Sequence, residues 1–407
     1  MTTLHAIDYQ SLRPVAVHFL NDRIDSVQSL DCDADLAASL PFVAPGLFDI
    51  QINGYHGLWF CSETLTEDEV TRIALALADR GVPQFFPTLI TCSFEAMLHG
   101  VNTIRQACLG NKLVAGMVRG IHLEGPSISD QDGPRGAHPR QHVRPACLKE
   151  LERWQEASGG MIRLITLAPE SPGAVDFIRS ATAQGIVISI GHTAATPDQI
   201  HAAIQAGATL STHLGNGCAA MINRHRNIFW PQLADDRLSV SVIADGWHVP
   251  GDMLKCIVRC KSYDRLLLTC DVSGFGGCDP GSYQAGGVAV DVLDDGRIVV
   301  AGQTEFLAGS GATTGDCVAQ LLNVMKPENS DTPLSLLHDI WNAGSTKPAS
   351  VFGFNNRSLR AGNEATFTLF RLPSTDTQSG TKYSFQAVAS YSEGVQVSSL
   401  ASGTGAD

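Results

Sequence analysis

The chain has no apolar run approaching the ~20 residues that a membrane-spanning helix needs, and it has no block of lysine and arginine. Its 28 basic side chains are outnumbered by 41 acidic ones, giving a formal net charge of -13. A spanning helix is therefore excluded by length, and nucleic acid and anionic membrane are excluded as partners by charge. The start, MTTLHAIDYQSLRP, lacks the basic stretch and long apolar core of a signal peptide. The 11 cysteines, an odd number, follow no framework spacing. They read as reduced thiols, and a cytoplasmic location is expected. Cys256 and Cys260 lie one helical turn apart, but they read as ordinary thiols rather than as a metal pair. What the chain does have is apolar residues. At 44% of 407 residues they suffice for one large α/β domain with an accessory piece.

A rhythm begins near residue 42, where short apolar runs end in Gly, Pro, Asp, His or Glu and amphipathic stretches follow. Eight runs read as strands: PFVAPGLFDIQING, VPQFFPTLIT, MVRGIHLEG, MIRLITLAPE, GIVISIGHT, ATLSTHLGNG, LSVSVIADG and RLLLTCDVSG. Helices are predicted between them over Glu67–Arg80, Phe94–Leu109, Ala174–Gln184 and Pro197–Ala206. Thr66 and Thr196 serve as N-caps, with Pro197 at the first helical position. Nearly continuous apolar strands alternating with helices indicate parallel strands covered on the outside. A doubly wound sheet is one arrangement, and eight units favour the closed (β/α)8 TIM-type barrel. A small flanking β-sandwich domain is expected from the two ends of the chain. The expected division is 1–41 with 345–372 for that domain, 42–344 for the barrel and 373–407 for a tail rich in Ser, Thr and Gly. Within the tail, KYSFQAVASY and EGVQVSSL are further candidate strands. GGVAVDVLDDGRIVVAG reads as a hairpin turning at Asp295-Gly296.

In such a barrel the carboxyl ends of the strands build the active site. The first run ends at Gln51-Ile-Asn53, the third at Glu124, the fifth at His192, the sixth at His213 and the eighth at Asp271. Asp245 and His248 follow the seventh. A single histidine at a strand end is more often a bonded core residue than a ligand. Six polar positions at the same edge of one barrel outweigh that reading. Glu124, His192 and His213 form a carboxylate and two imidazoles, a donor set for Zn2+, with Fe2+ or another divalent ion compatible by ligand type. Such an ion acidifies water and polarises a carbonyl. Asp271 is the candidate to accept the water's proton and to deliver it to a leaving group. His122 is read as a barrel-interior residue.

These stretches resemble the amidohydrolase superfamily and, within it, the N-acetylglucosamine-6-phosphate deacetylase family. The resemblance rests on PGLFDIQINGYHG, FFPTLIT, GIHLEGP, ITLAPE, GHTAAT, STHLGNG, VIADGWHV, LLLTCDVSG and LAGSGATT, in family order from about residue 43 to 315. It implies metal-dependent deacetylation of an amino sugar. The implied ligands are Glu124, His192 and His213, with Asp271 as base and acid and His248 polarising the acetyl carbonyl. Asn216, Gly217 and His138 are implied to contact the substrate. Gln51 and Asn53 stand where many amidohydrolases carry His-x-His, and ITLAPE lacks the modified lysine of two-metal relatives, so one main metal is implied. A homodimer is also implied, with Arg224 (Arg226 as runner-up) binding the 6-phosphate across the subunit boundary. The run after His213 departs from the family's Leu-Tyr-Asn-Ala-Met, reading Leu214-Gly-Asn-Gly-Cys218. His56 and Trp59 give the mouth a character of its own. The leading substrate is N-acetylglucosamine 6-phosphate, a small molecule. An unphosphorylated N-acetyl sugar or another N-acyl compound is the alternative, and an inactive barrel serving as a binding protein is the third.

Overall fold

The computed structural model describes residues 1–285, 288–304, 307–326, 334–377 and 380–398. Eight parallel strands follow one another in chain order: Phe48–Ile52, Gln84–Ile90, Ile121–Glu124, Ile162–Leu167, Val187–Ile190, Leu210–Ser211, Ser239–Val242 and Leu266–Leu268. The ring closes through a parallel bridge from Ile52 to Val272, and the Asn53 N–H donates to the Val272 carbonyl at 3.0 Å. The expected barrel is therefore present, with each strand inside its apolar run.

The helices outside form for local reasons. Glu67–Asp79 starts on a capping box in which Thr66 and Glu69 satisfy each other's backbone groups. It buries Val70, Ile73, Ala74, Leu77 and Ala78, spaced for one helical face. Pro197–Ala206 starts on the same device, with Thr196 and Gln199.

Polarity rises along the barrel axis. Phe48, Phe86, Leu164, Leu210 and Leu267 fill the floor together with Ala349 and Phe352 from beneath. Above them lies a layer of hydroxyls and one imidazole. His122 Nε2 meets Thr166 Oγ1 at 2.8 Å, Thr166 meets Thr212 at 2.6 Å, and Thr212 meets Ser189 at 2.5 Å. Burial pushes the His122 ring down to about 4, so it stays neutral there. It is an interior residue, as read from sequence.

The first strand slips register between Asp49 and Ile52. Asp49, fully buried, faces the eighth strand and the helix Thr314–Met325 outside it. Its carboxylate accepts from Thr269 Oγ1 at 2.6 Å, Thr314 Oγ1 at 2.5 Å, Cys270 N at 2.9 Å and Gln51 N at 2.9 Å. This carboxylate fastens the first strand to the eighth. Asp49→Ala is expected to lower stability by about 3–6 kcal/mol, because several buried donors lose their acceptor at about 1–3 kcal/mol each. A thermal melt of the variant checks this, and a shift worth less than ~1 kcal/mol would show that the donors find other partners.

The flanking domain is a seven-stranded sheet drawn from both ends of the chain. Its strands, in spatial order, are Val395–Gln396, Gln386–Ser392, Phe367–Arg371, Phe42–Pro45, Thr2–Asp8, Pro14–Leu20 and Arg23–Ser29. Its core is Val17, Phe19, Ile24, Val43 and Phe367. Three boundaries differ from the sequence expectation. Phe42–Pro45, expected to open the barrel, lies in this sheet, paired with Thr2–Asp8 and Phe367–Arg371. The sheet continues past residue 372, because Gln386–Ser392 pairs antiparallel with Phe367–Arg371. Helix Thr346–Val351 belongs under the barrel floor, because Phe352 at its end packs on Phe86 with ring centroids 4.7 Å apart. Residues from 399 onward, the end of EGVQVSSL included, lie outside the described residues. Val288–Val292 and Ile298–Val300 form the expected hairpin, with Gly281–Ala285 as a third strand. No helix among the described residues is long and apolar enough to cross a membrane.

Candidate active site at the carboxyl ends of the strands

The third, fifth and sixth strands aim Glu124, His192 and His213 at one point. Each offers a ligand atom, and these atoms lie within 4.8 Å of one another; no other such group of His, Cys, Asp or Glu occurs among the described residues. Glu124 Oε1 is 3.1 Å from His192 Nε2 and 3.0 Å from His213 Nε2, and the two ring nitrogens are 3.1 Å apart. All three side chains are buried. His192 Nδ1 donates to the Pro134 carbonyl at 2.9 Å, so the lone pair is on Nε2, facing the cluster. Gly217 sits at φ +55, and a Cβ there would fall 2.8 Å from His192 Nδ1, so the missing side chain makes room for the ring. Burial works against charge on Glu124, but the bonds with both histidines prevail and hold its carboxyl well below the usual range. Burial also opposes charge on His213, yet the Glu124 bond and the Asp271 carboxylate push the ring upward. One carboxylate oxygen and two nitrogens this close call for positive charge between them, and a divalent ion fits that donor set.

The first strand supplies the partners that steer the carboxylates. Gln51 Nε2 donates to Glu124 Oε1 at 2.8 Å, and Asn53 Nδ2 donates to Asp271 Oδ1 at 2.7 Å. Burial, with the Glu124 charge adding to it, pushes the Asp271 carboxyl up to about 6. A carboxyl tuned towards neutrality is suited to taking up and releasing a proton. His192, His213 and Asp271 have φ values of +49, +31 and +50. Left-handed backbone at a non-glycine residue costs of order 1–3 kcal/mol, and it clusters at functional sites.

After the seventh strand, Asp245 turns back on its own loop. Its Oδ1 accepts from the Trp247 and His248 N–H groups at 2.8 and 2.9 Å, and its Oδ2 meets His248 Nδ1 at 2.7 Å. This fixes the ring with Nδ1 towards the carboxylate and leaves Nε2 free. His138, from the loop after the third strand, accepts on Nδ1 from Thr91 Oγ1 at 2.8 Å. Its Nε2 stands 4.0 Å from Glu124 Oε2. Burial, with His192 beside it, lowers the His138 ring to about 3.

Glu124, His192, His213, His248, Asp271, His138, Asn216 and Gly217 all line one cavity of about 370 Å³. Arg224 stands apart from it, on the exposed stretch 221–226. Arg226 pairs with Asp198 at 2.8 Å on the surface. Sequence reasoning named Asp245 without its bond to His248, and it did not foresee the Leu307–Gly309 wall of the cavity.

No family model matches the chain. It is 32% identical to N-acetylglucosamine-6-phosphate deacetylase of Bos taurus, over 86% of this chain and 83% of that one. It is 29% identical to N-acetylgalactosamine-6-phosphate deacetylase of Escherichia coli O157:H7, over 79% of this chain and 82% of that one. Among solved structures, N-acetyl-D-glucosamine-6-phosphate deacetylase from Mycobacterium smegmatis superposes with a TM-score of 0.81 at 27% identity, over 98% of this chain and 100% of that one.

Proposed function

The chain belongs to the N-acetylglucosamine-6-phosphate deacetylase family of the amidohydrolase superfamily, and on that premise we propose that it hydrolyses the N-acetyl amide of N-acetylglucosamine 6-phosphate, giving glucosamine 6-phosphate and acetate. The observation that carries this reading is the meeting of Glu124, His192, His213, His248 and Asp271 in one cavity. We assign Glu124, His192 and His213 as ligands of one divalent ion, Zn2+ for preference, with Fe2+ also suited to the donors. The ion, when bound, supplies Lewis acidity that acidifies water and polarises the acetyl carbonyl. Asp271 takes the proton from the attacking water and passes it to the amine nitrogen as the C–N bond breaks. Asn53 keeps the Asp271 carboxylate turned to the mouth. His248, steadied by Asp245, hydrogen-bonds the acetyl carbonyl through Nε2. His138, Asn216 and Gly217 border the sugar. Acetate release from N-acetylglucosamine 6-phosphate, its galactose epimer and free N-acetylglucosamine tests the reading; release from none of them would overturn it.

The 6-phosphate needs fixed positive charge, and among the described residues no lysine or arginine lines the cavity. We assign that role to Arg224, reaching from its exposed loop into the cavity of the partner in a homodimer. Charge-assisted hydrogen bonds contribute about 1.5–3 kcal/mol. Arg224→Ala is thus expected to cut kcat/KM for the phosphorylated sugar by about 10- to 100-fold. Turnover of the free sugar should stay as it was. Equal losses on both substrates would reject the phosphate role.

A further inference from the structure

The geometry points to Trp59 as the platform on which the carbohydrate ring of the leaving amine rests, by its C–H face; the inference deepens the proposed reaction and rests on it. Trp59 lines the same cavity as Asp271, beside Ser273 and the Leu307–Gly309 wall. It is half-buried rather than packed away. Its ring is held from behind. Gly274 lies against it so closely that a Cβ there would fall 2.2 Å from Trp59 Cε2. Phe275 meets it edge-on with centroids 5.4 Å apart at 83°, and the hairpin core of Val290, Val292 and Ile298 backs that pair. The backbone of Trp59 pairs with Gly54, and the next residue, Phe60, donates its N–H to the Asn53 carbonyl at 3.0 Å. Asn53 is the residue whose side chain holds Asp271. One turn therefore anchors both the aromatic ring and the proton donor.

The reaction fixes what lies there. When the amide C–N bond breaks, the nitrogen takes its proton from Asp271, so it must come within hydrogen-bond reach of that carboxyl. The acyl carbon and its oxygen lie on the opposite flank, towards Glu124, His192, His213 and His248. The carbon bearing the nitrogen, and the ring to which it belongs, extends away on the Asp271 side. The large apolar face on that side is the indole, and a pyranose offers C–H bonds in a plane that such a face covers well.

The test uses the metal-loaded Asp271→Asn chain, in which turnover is expected to fall about 10²–10⁴-fold so that binding is read on intact sugar. Dissociation constants are measured by calorimetry for N-acetylglucosamine 6-phosphate and for free N-acetylglucosamine, with bound metal counted in every sample. Adding Trp59→Ala should weaken both sugars by about the same factor of ten or more. Adding Trp59→Phe should restore most of the loss, and metal content should stay at one ion per chain. An unchanged affinity in the alanine variant overturns the platform, and so does an equal loss in the alanine and phenylalanine variants. Failure of the Asp271→Asn parent to bind either sugar overturns the substrate reading as well, which separates the two failures.

Discussion

Replacing His192 by alanine is expected to remove the bound divalent ion and acetate release together. His192 provides one of three proposed protein donors, and the nearest other imidazole, His138, has its Nδ1 bonded to Thr91 Oγ1 at 2.8 Å. Its ring is pinned by the Pro134 carbonyl on one nitrogen and by the close backbone of Gly217 on its face. Removing a partner that merely orients a ligand costs about 10–100-fold in affinity or activity, and removal of the ligand itself should exceed that. The check is metal analysis of the purified variant after loading with excess Zn2+, beside the acetate assay and a thermal melt to confirm folding. Full occupancy in a folded His192→Ala chain would show that the ion sits elsewhere.

Asp271→Asn is expected to show the complementary pattern, with metal retained and turnover lost. The amide matches the carboxylate in size and still reaches Asn53, but it accepts no proton from water. General acid–base work contributes about 10²–10⁴-fold, which sets the expected fall in kcat. The two variants together separate holding the ion from moving the proton. Near-normal turnover in Asp271→Asn would move the base to another group lining the cavity, His138 or His248.

The strands and their order were readable because a parallel strand buried on both faces has to be apolar almost throughout. Each run then stops where backbone meets the mouth, at Gly, Pro or a polar residue. That Glu124, His192 and His213 gather at one end of the barrel was readable for the same reason, since a charged or imidazole side chain at such an end has few bland explanations. Asp49 was not readable. Strict alternation puts Asp49, Gln51 and Asn53 on one face of their strand. The register slip between Asp49 and Ile52 instead sends Gln51 to Glu124 and turns Asp49 outward to Thr269 and Thr314. A one-residue slip of this kind depends on partners more than two hundred positions away in the chain. The support of Trp59 is hidden likewise, because Gly274 and Phe275 come to it only when the barrel closes. The boundary at residue 345 is not legible in the sequence, because the apolar residues of Thr346–Val351 do not say whether they meet a sheet or the floor of a barrel.

The seven-stranded sheet also sets an order of events in the cell. Phe42–Pro45 stands between Thr2–Asp8 and Phe367–Arg371, with Pro45 opposite Phe367. Ribosomes add about 5–20 residues per second. The first four strands therefore wait roughly a quarter of a minute to a minute for the partners that complete their sheet. Through that interval one edge of Phe42–Pro45 is an open row of backbone donors and acceptors, the kind of edge that recruits stray strands. The barrel, whose eight strands emerge in spatial order, has each partner at hand as it is made. Synthesis thus delivers the barrel ahead of the last three strands of the sheet that braces it.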